Sequence, residues 1–158
     1  MHIACTKEKS RDCGGRERSQ APSRSSGGRM MDAAQLPPTE APAIRTIAMP
    51  ADTNPAGDIF GGWLMSQMDL AAGNLAALTA RGRAATIAVD GMRFHLPVKV
   101  GDEVSLFASL TRRGRTSMDI HVTAWRRSRH EEVSQKVTCA TFAFVALDGE
   151  GRPRPLPD

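Results

Sequence analysis

One acid stands alone in an apolar run. Asp69 lies within Ile59-Phe60-Gly61-Gly62-Trp63-Leu64-Met65-Ser66-Gln67-Met68-Asp69-Leu70-Ala71-Ala72-Gly73, which holds no other charge. On a helix of 3.6 residues per turn it shares a stripe with Gly62, Met65, Ala72, Gly73 and Ala76, so the spacing predicts a carboxylate on a buried face. Burying an unpaired carboxylate is costly, and acids placed this way gather at functional sites. Just upstream, Asp52-Thr53-Asn54-Pro55-Ala56-Gly57-Asp58 is a polar turn that feeds Gly61-Gly62 at the start of the helix. The first N–H groups of a helix have no intrahelical acceptor, and the helix dipole strengthens them. Without Cβ atoms in the way, they are open to a substrate oxygen, as an oxyanion hole requires. Plainer roles also fit. The glycines would suit close packing, Asn54 and Asp58 suit turn and N-cap chemistry, and Asp69 suits a buried pair with an arginine.

Spacing adds a constraint. Gly61 and Asp69 are eight residues apart, which is about 12 Å along an ideal helix. Both cannot touch one reacting carbonyl. Either the substrate lies between two protomers, or the two groups serve different parts of it. Asp69 would act as general base on water or as nucleophile, and Asn54 would hold the water or orient the acid.

The elements that must position these groups follow from the pattern. Residues 44–49 read as a short strand stopped by Pro50, and a helix runs from about 61 to 81, ended by Arg81-Gly82. Strand patterns follow at 86–94, 103–112, 116–126 and 134–147, with polar–apolar alternation clearest over 117–125. The expected fold is α+β, an antiparallel sheet of about five strands curved around one long helix. Residues 1–43 are rich in Ser, Gly, Pro and Arg without hydrophobic period, and read as a disordered extension. Met30-Met31 marks residues 1–29 as a stretch upstream of a second start. The ordered domain is 44–158.

Composition narrows the function. No stretch approaches the roughly 18 apolar residues of a membrane span. Lys7, Lys9 and Arg11 have no apolar segment behind them, so no secretory signal is read and a cytoplasmic protein is expected. Cys5, Cys13 and Cys139 have neither zinc-site nor disulfide spacing, and Cys139 reads as a small core residue. Half of the net charge of +4 falls in residues 1–43, which contain no aromatic residue. That argues against nucleic acid, for want of a stacking platform, while a modest positive balance suits a polyanionic small molecule. The four histidines do not cluster, and neither a Gly-x-Ser-x-Gly elbow nor a phosphate loop is present.

The blocks Ile44-Arg45-Thr46-Ile47-Ala48-Met49-Pro50, Asp52-Thr53-Asn54, Gly57-Asp58-Ile59-Phe60-Gly61-Gly62-Trp63 and Met65-Ser66-Gln67-Met68-Asp69 closely resemble the YciA-like acyl-CoA thioesterases of the hotdog superfamily. The likeness continues through Gly91-Met92, Pro97-Val98, Val100-Gly101-Asp102 and Phe144-Val145-Ala146-Leu147-Asp148, and covers about 44–156. It implies a sheet-wrapped helix, dimers with a continuous sheet, and a hexamer made of three dimers. It implies hydrolysis of acyl-CoA to free CoA and a carboxylic acid, with neither metal nor organic cofactor. Asp69 would be the catalytic carboxylate, Asn54 would reach the same site from the partner subunit, and the Gly61 and Gly62 amides would polarise the thioester carbonyl. Around the turn at 113–117, Arg115, Thr116 and Ser117 would contact CoA, with Arg83 or Arg93 as further cations; His95 would have no catalytic role. Three other readings compete: a non-catalytic acyl-CoA-binding regulator on the same fold, a hydratase, and a plain interaction module. The regulator would need no Asp69. A hydratase would need a histidine near its acid, and none occurs between His2 and His95.

Overall fold

The structure is a computed structural model that describes residues 36–158; the proposed start at Met30-Met31 lies outside them. Strand β1 is Ile44–Ile47, helix α1 is Gly61–Ala80, and strands β2 to β5 are Ala84–Asp90, Glu103–Arg113, Ser117–Arg127 and Gln135–Ala146. The strands form one antiparallel sheet in the order β1-β3-β4-β5-β2. The expected architecture of one helix held by five strands is therefore observed.

The sheet curls around α1. The helix buries Leu64, Met68, Ala71, Ala72, Ala76 and Ala80 against Leu106, Met118, Ile120, Val122, Phe142 and Phe144 of the inner sheet face. Small residues on the helix let the strands come close, and the two phenylalanines fill the volume that alanines leave. Cys139 is buried, as expected of a small apolar residue. Among the described residues no helix is long and apolar enough to cross a membrane.

Strand β2 departs most from expectation. It starts at Ala84 and ends at Asp90, not 86–94, because Gly91 turns the chain at φ +75°. Its first two residues are alanines, which carry little strand propensity, yet the adjoining Arg83 carbonyl accepts a bond from Leu147 N–H at 2.8 Å. Ile87 forms a bulge between the Thr86–Phe144 and Ala88–Ala143 pairs. Pro38, Thr39 and Glu40 lie beside Phe107, Ser109 and His121 of β3 and β4.

Candidate active site

The loop before α1 is closed by its own backbone. Thr53 bridges Ile59, the Asn54 N–H donates to Asp58 O at 2.8 Å, and Phe60 N–H donates to Asp52 O at 2.8 Å. Asn54 Oδ1 accepts from Ala56 N–H and Asp58 N–H at 2.9 and 3.2 Å, an Asx turn. Its Nδ2 has no partner among the described residues. Asp58 does not cap the helix: its carboxylate accepts from Lys99 Nζ, and the N-cap is Phe60, which offers no side-chain bond.

That leaves the helix start open. The Phe60 carbonyl accepts from Trp63 N–H at 2.9 Å, whereas Gly61 and Gly62 N–H have no acceptor among the described residues. A Cβ on Gly62 would sit 2.6 Å from the Phe60 ring, and one on Gly61 would sit 3.4 Å from the Phe94 ring. A side chain at 62 would displace the exposed Phe60 ring, whereas one at 61 would meet Phe94 at ordinary contact distance. Beside Gly61 lies a cleft of about 350 Å³ walled by Ile59, Leu64, Phe94, Leu96, Val98 and Val137. His95 is the only side chain with a titratable group in that wall. Its N–H is bonded to Val137 O at 2.8 Å, which pins the loop to β5.

Asp69 differs from expectation in its surroundings. It is half-buried, because the face that meets the sheet is the one carrying Leu64, Met68, Ala72 and Ala76, while Met65 is 41% exposed. Asp69 falls on the flank of that face, over strand β2. There its Oδ1 accepts from the Thr86 hydroxyl at 2.7 Å, and Oδ2 has no partner among the described residues. Thr86 is the site residue that sequence reasoning missed. The bulge immediately after it was the only available signal of a re-aimed side chain, and bulges cannot be read from residue types.

The four residues expected to contact CoA gather at one end of the sheet. Ala146 N–H donates to Thr116 O at 2.9 Å, Leu147 N–H to Arg83 O at 2.8 Å, and Ser117 pairs with Val145. Arg115 and Arg83 therefore flank the end of β5, roughly 10 Å apart across two strand spacings. Neither guanidinium has a partner among the described residues. Thr86 is three residues along β2 from Arg83, or about 10 Å, so Asp69 lies between this basic end and the glycine end. The structure does not bring Gly61 and Asp69 of one chain together. Among the described residues no three His, Cys, Asp or Glu side chains gather as a metal site.

The description "Thioesterase superfamily" belongs to the family whose sequence profile matches residues 56–133. An uncharacterised acyl-CoA thioester hydrolase of Zymomonas mobilis is 53% identical over 122 residues, 77% of this chain and 82% of the relative. Acyl-CoA thioester hydrolase YciA of Escherichia coli is 50% identical over 117 residues, covering 72% and 89%. A crystal structure of a hexameric thioesterase from Yersinia pestis superposes with a TM-score of 0.72 at 45% identity, covering 77% and 98%. With the helix, the curled sheet and these likenesses together, the chain belongs to the YciA-like thioesterases of the hotdog superfamily.

Proposed function

We propose that this chain hydrolyses acyl-CoA to free CoA and a carboxylic acid, at a site shared by two protomers of a hexamer. The observation that carries the reading is the separation of two complementary groups. Open amides stand at Gly61 and Gly62, and a carboxylate oriented by Thr86 stands two turns further on, on the flank facing the free edge of β2. That edge is exposed, with Ile87 at 61% and Val89 at 38%. A second copy continuing the sheet there would bring its own helix start toward Asp69.

In such a site Asn54, Gly61 and Gly62 come from one protomer and Asp69 from the other. The thioester carbonyl oxygen takes the glycine N–H groups, and the apolar cleft beside Gly61 takes the acyl group. Water attacks the carbonyl carbon and passes a proton to Asp69, whose Oδ2 is uncommitted. The glycine amides hold the oxyanion, the C–S bond breaks, and the CoA thiolate leaves and is protonated. Arg83, Arg115, Thr116 and Ser117 form the phosphate-facing end. No cofactor is assigned a step. The reading places the enzyme in the cytoplasm.

Thiol release from a panel of acyl-CoAs tests this. The native chain should turn over at least one member, and Asp69→Asn should lose about 10²- to 10⁴-fold in kcat with the fold retained. Binding without thiol release by the native chain would make it an acyl-CoA-binding regulator. Full turnover by Asp69→Asn would remove Asp69 from the mechanism.

A further inference from the structure

The residues after β5 hold two parts of the molecule together. Asp148 Oδ1 accepts from Glu150 N–H and Arg152 N–H, both at 2.9 Å, and reverses the chain. The returning segment bonds back along β5, with Arg154 N–H to Ala146 O at 2.9 Å. It then crosses to the β3–β4 hairpin, where Leu156 N–H donates to Arg115 O at 2.8 Å. Arg113 Nη2 donates to the Pro157 carbonyl, and the Leu156 side chain packs on the core.

Arg154 ties this segment to the helix. Its Nη2 donates to Ala80 O at 2.6 Å, its Nε to Leu147 O at 3.0 Å and its Nη1 to Pro155 O at 3.3 Å. Ala80 O is a terminal helix carbonyl, which a cation satisfies well. The guanidinium fits because residue 82 is glycine: a Cβ there would lie 2.8 Å from Nη2. Each nitrogen of Arg154 donates one bond within the chain. Arg83 and Arg115, on either side of it, have no partners among the described residues.

We propose that Arg154 is a positioning residue: it fixes the hairpin turn at 113–117 against the end of α1, and thereby sets affinity for the nucleotide half of CoA. This rests on the acyl-CoA reading above. An arginine that orients unpartnered cations without touching the ligand affects the phosphates and leaves the thioester alone.

The test compares two substrates of the full chain: the acyl-CoA of the panel turned over fastest, and S-acyl-pantetheine with the same acyl group, which lacks the phosphates and the adenosine. Arg154→Ala should raise KM for acyl-CoA about tenfold, equivalent to about 1.4 kcal/mol, with kcat within about twofold and acyl-pantetheine kinetics unchanged. Gly82→Ala keeps every charge, displaces the guanidinium and also strains the chain at φ +155°, so at matched circular dichroism it should give the same split on a smaller scale. Equal losses on both substrates, in a variant whose circular dichroism matches the native chain, would make Arg154 a plain structural staple and overturn the proposal. So would a KM effect in Arg154→Ala with none in Gly82→Ala, since that pattern is loss of charge. A native chain that releases no thiol from any acyl-CoA would overturn the function itself, before any variant is compared.

Discussion

The two ends of α1 are built in opposite ways. At its start the N-cap is a phenylalanine with no side-chain bond, and the amides of Gly61 and Gly62 are left without acceptors. At its end almost everything is satisfied. Arg81 adopts the left-handed conformation at φ 47°, its N–H bonds Leu78 O at 3.2 Å, and Gly82 N–H bonds Ala77 O at 3.1 Å. This is a Schellman closure, and Arg154 takes the Ala80 carbonyl. A helix needs caps at both ends for stability. Here one end has given up its cap, and unfilled donors at that position serve a developing oxyanion better than filled ones. The contrast assigns chemistry to the start of the helix and support to its finish.

The sharpest way to break this contrast, after removal of the Asp69 charge, is Gly62→Ala. Alanine favours a helix by up to about 1 kcal/mol over glycine, so the melting temperature should hold or rise. The new methyl group meets the Phe60 ring beside the amides, so kcat should fall about 10- to 100-fold, less than the roughly 10²- to 10³-fold lost when an oxyanion donor is removed outright. A variant that is more stable and equally active would mean the open amides are idle. Asn54→Asp asks a finer question at the same end. It keeps an oxygen to accept from Ala56 and Asp58, so the loop survives, but removes the Nδ2 donor. A loss of about tenfold in kcat/KM, worth about 1.4 kcal/mol of transition-state stabilisation, is expected. Unchanged kinetics would leave Asn54 with its turn alone.

The smallest effect should come from a group at neither end. His121, on the outer sheet face, has its pKa lowered from the usual 6.5, first by burial and then by Lys136. A lowered base pKa means that the unfolded chain binds the extra proton more readily. Stability from the neutral ring is therefore complete above about pH 6.5 and declines as pH falls toward the folded-state value. Denaturant titrations across that window should show a slope that His121→Gln flattens, while turnover at either helix end is untouched. A matching change in kcat would link the outer face to the site.

Much of the fold was legible because its periodicity was strong. Alternation over 117–125 placed β4, and the uncharged run from Gly61 placed the helix. The start of β2 was not legible, because Ala84 and Ala85 are strand residues only through pairing with Val145 and Ala146. At the site, residue types found the glycines, Asn54 and Asp69. A helical wheel could not tell which flank of α1 would face the sheet and which would overhang β2, so Asp69 was expected to be more buried than it is. Thr86 and Arg154 act through partners 17 and 74 residues away. No local pattern marks such contacts. The same holds for which arginines are occupied and which are free.

The strand order carries a kinetic meaning. Strands β3, β4 and β5 form a meander in which each pairs with the next along the chain. The edge strands do not: Ile44 must find Leu106, and Ala84 must find Ala146. Pairings of that length close large loops and weigh heavily in contact order, which slows folding. The hydroxyl that orients Asp69 is carried by one of these edge strands, β2. The geometry of the acid is therefore completed by a long-range pairing, and the site is assembled only when that edge of the sheet has closed around its helix.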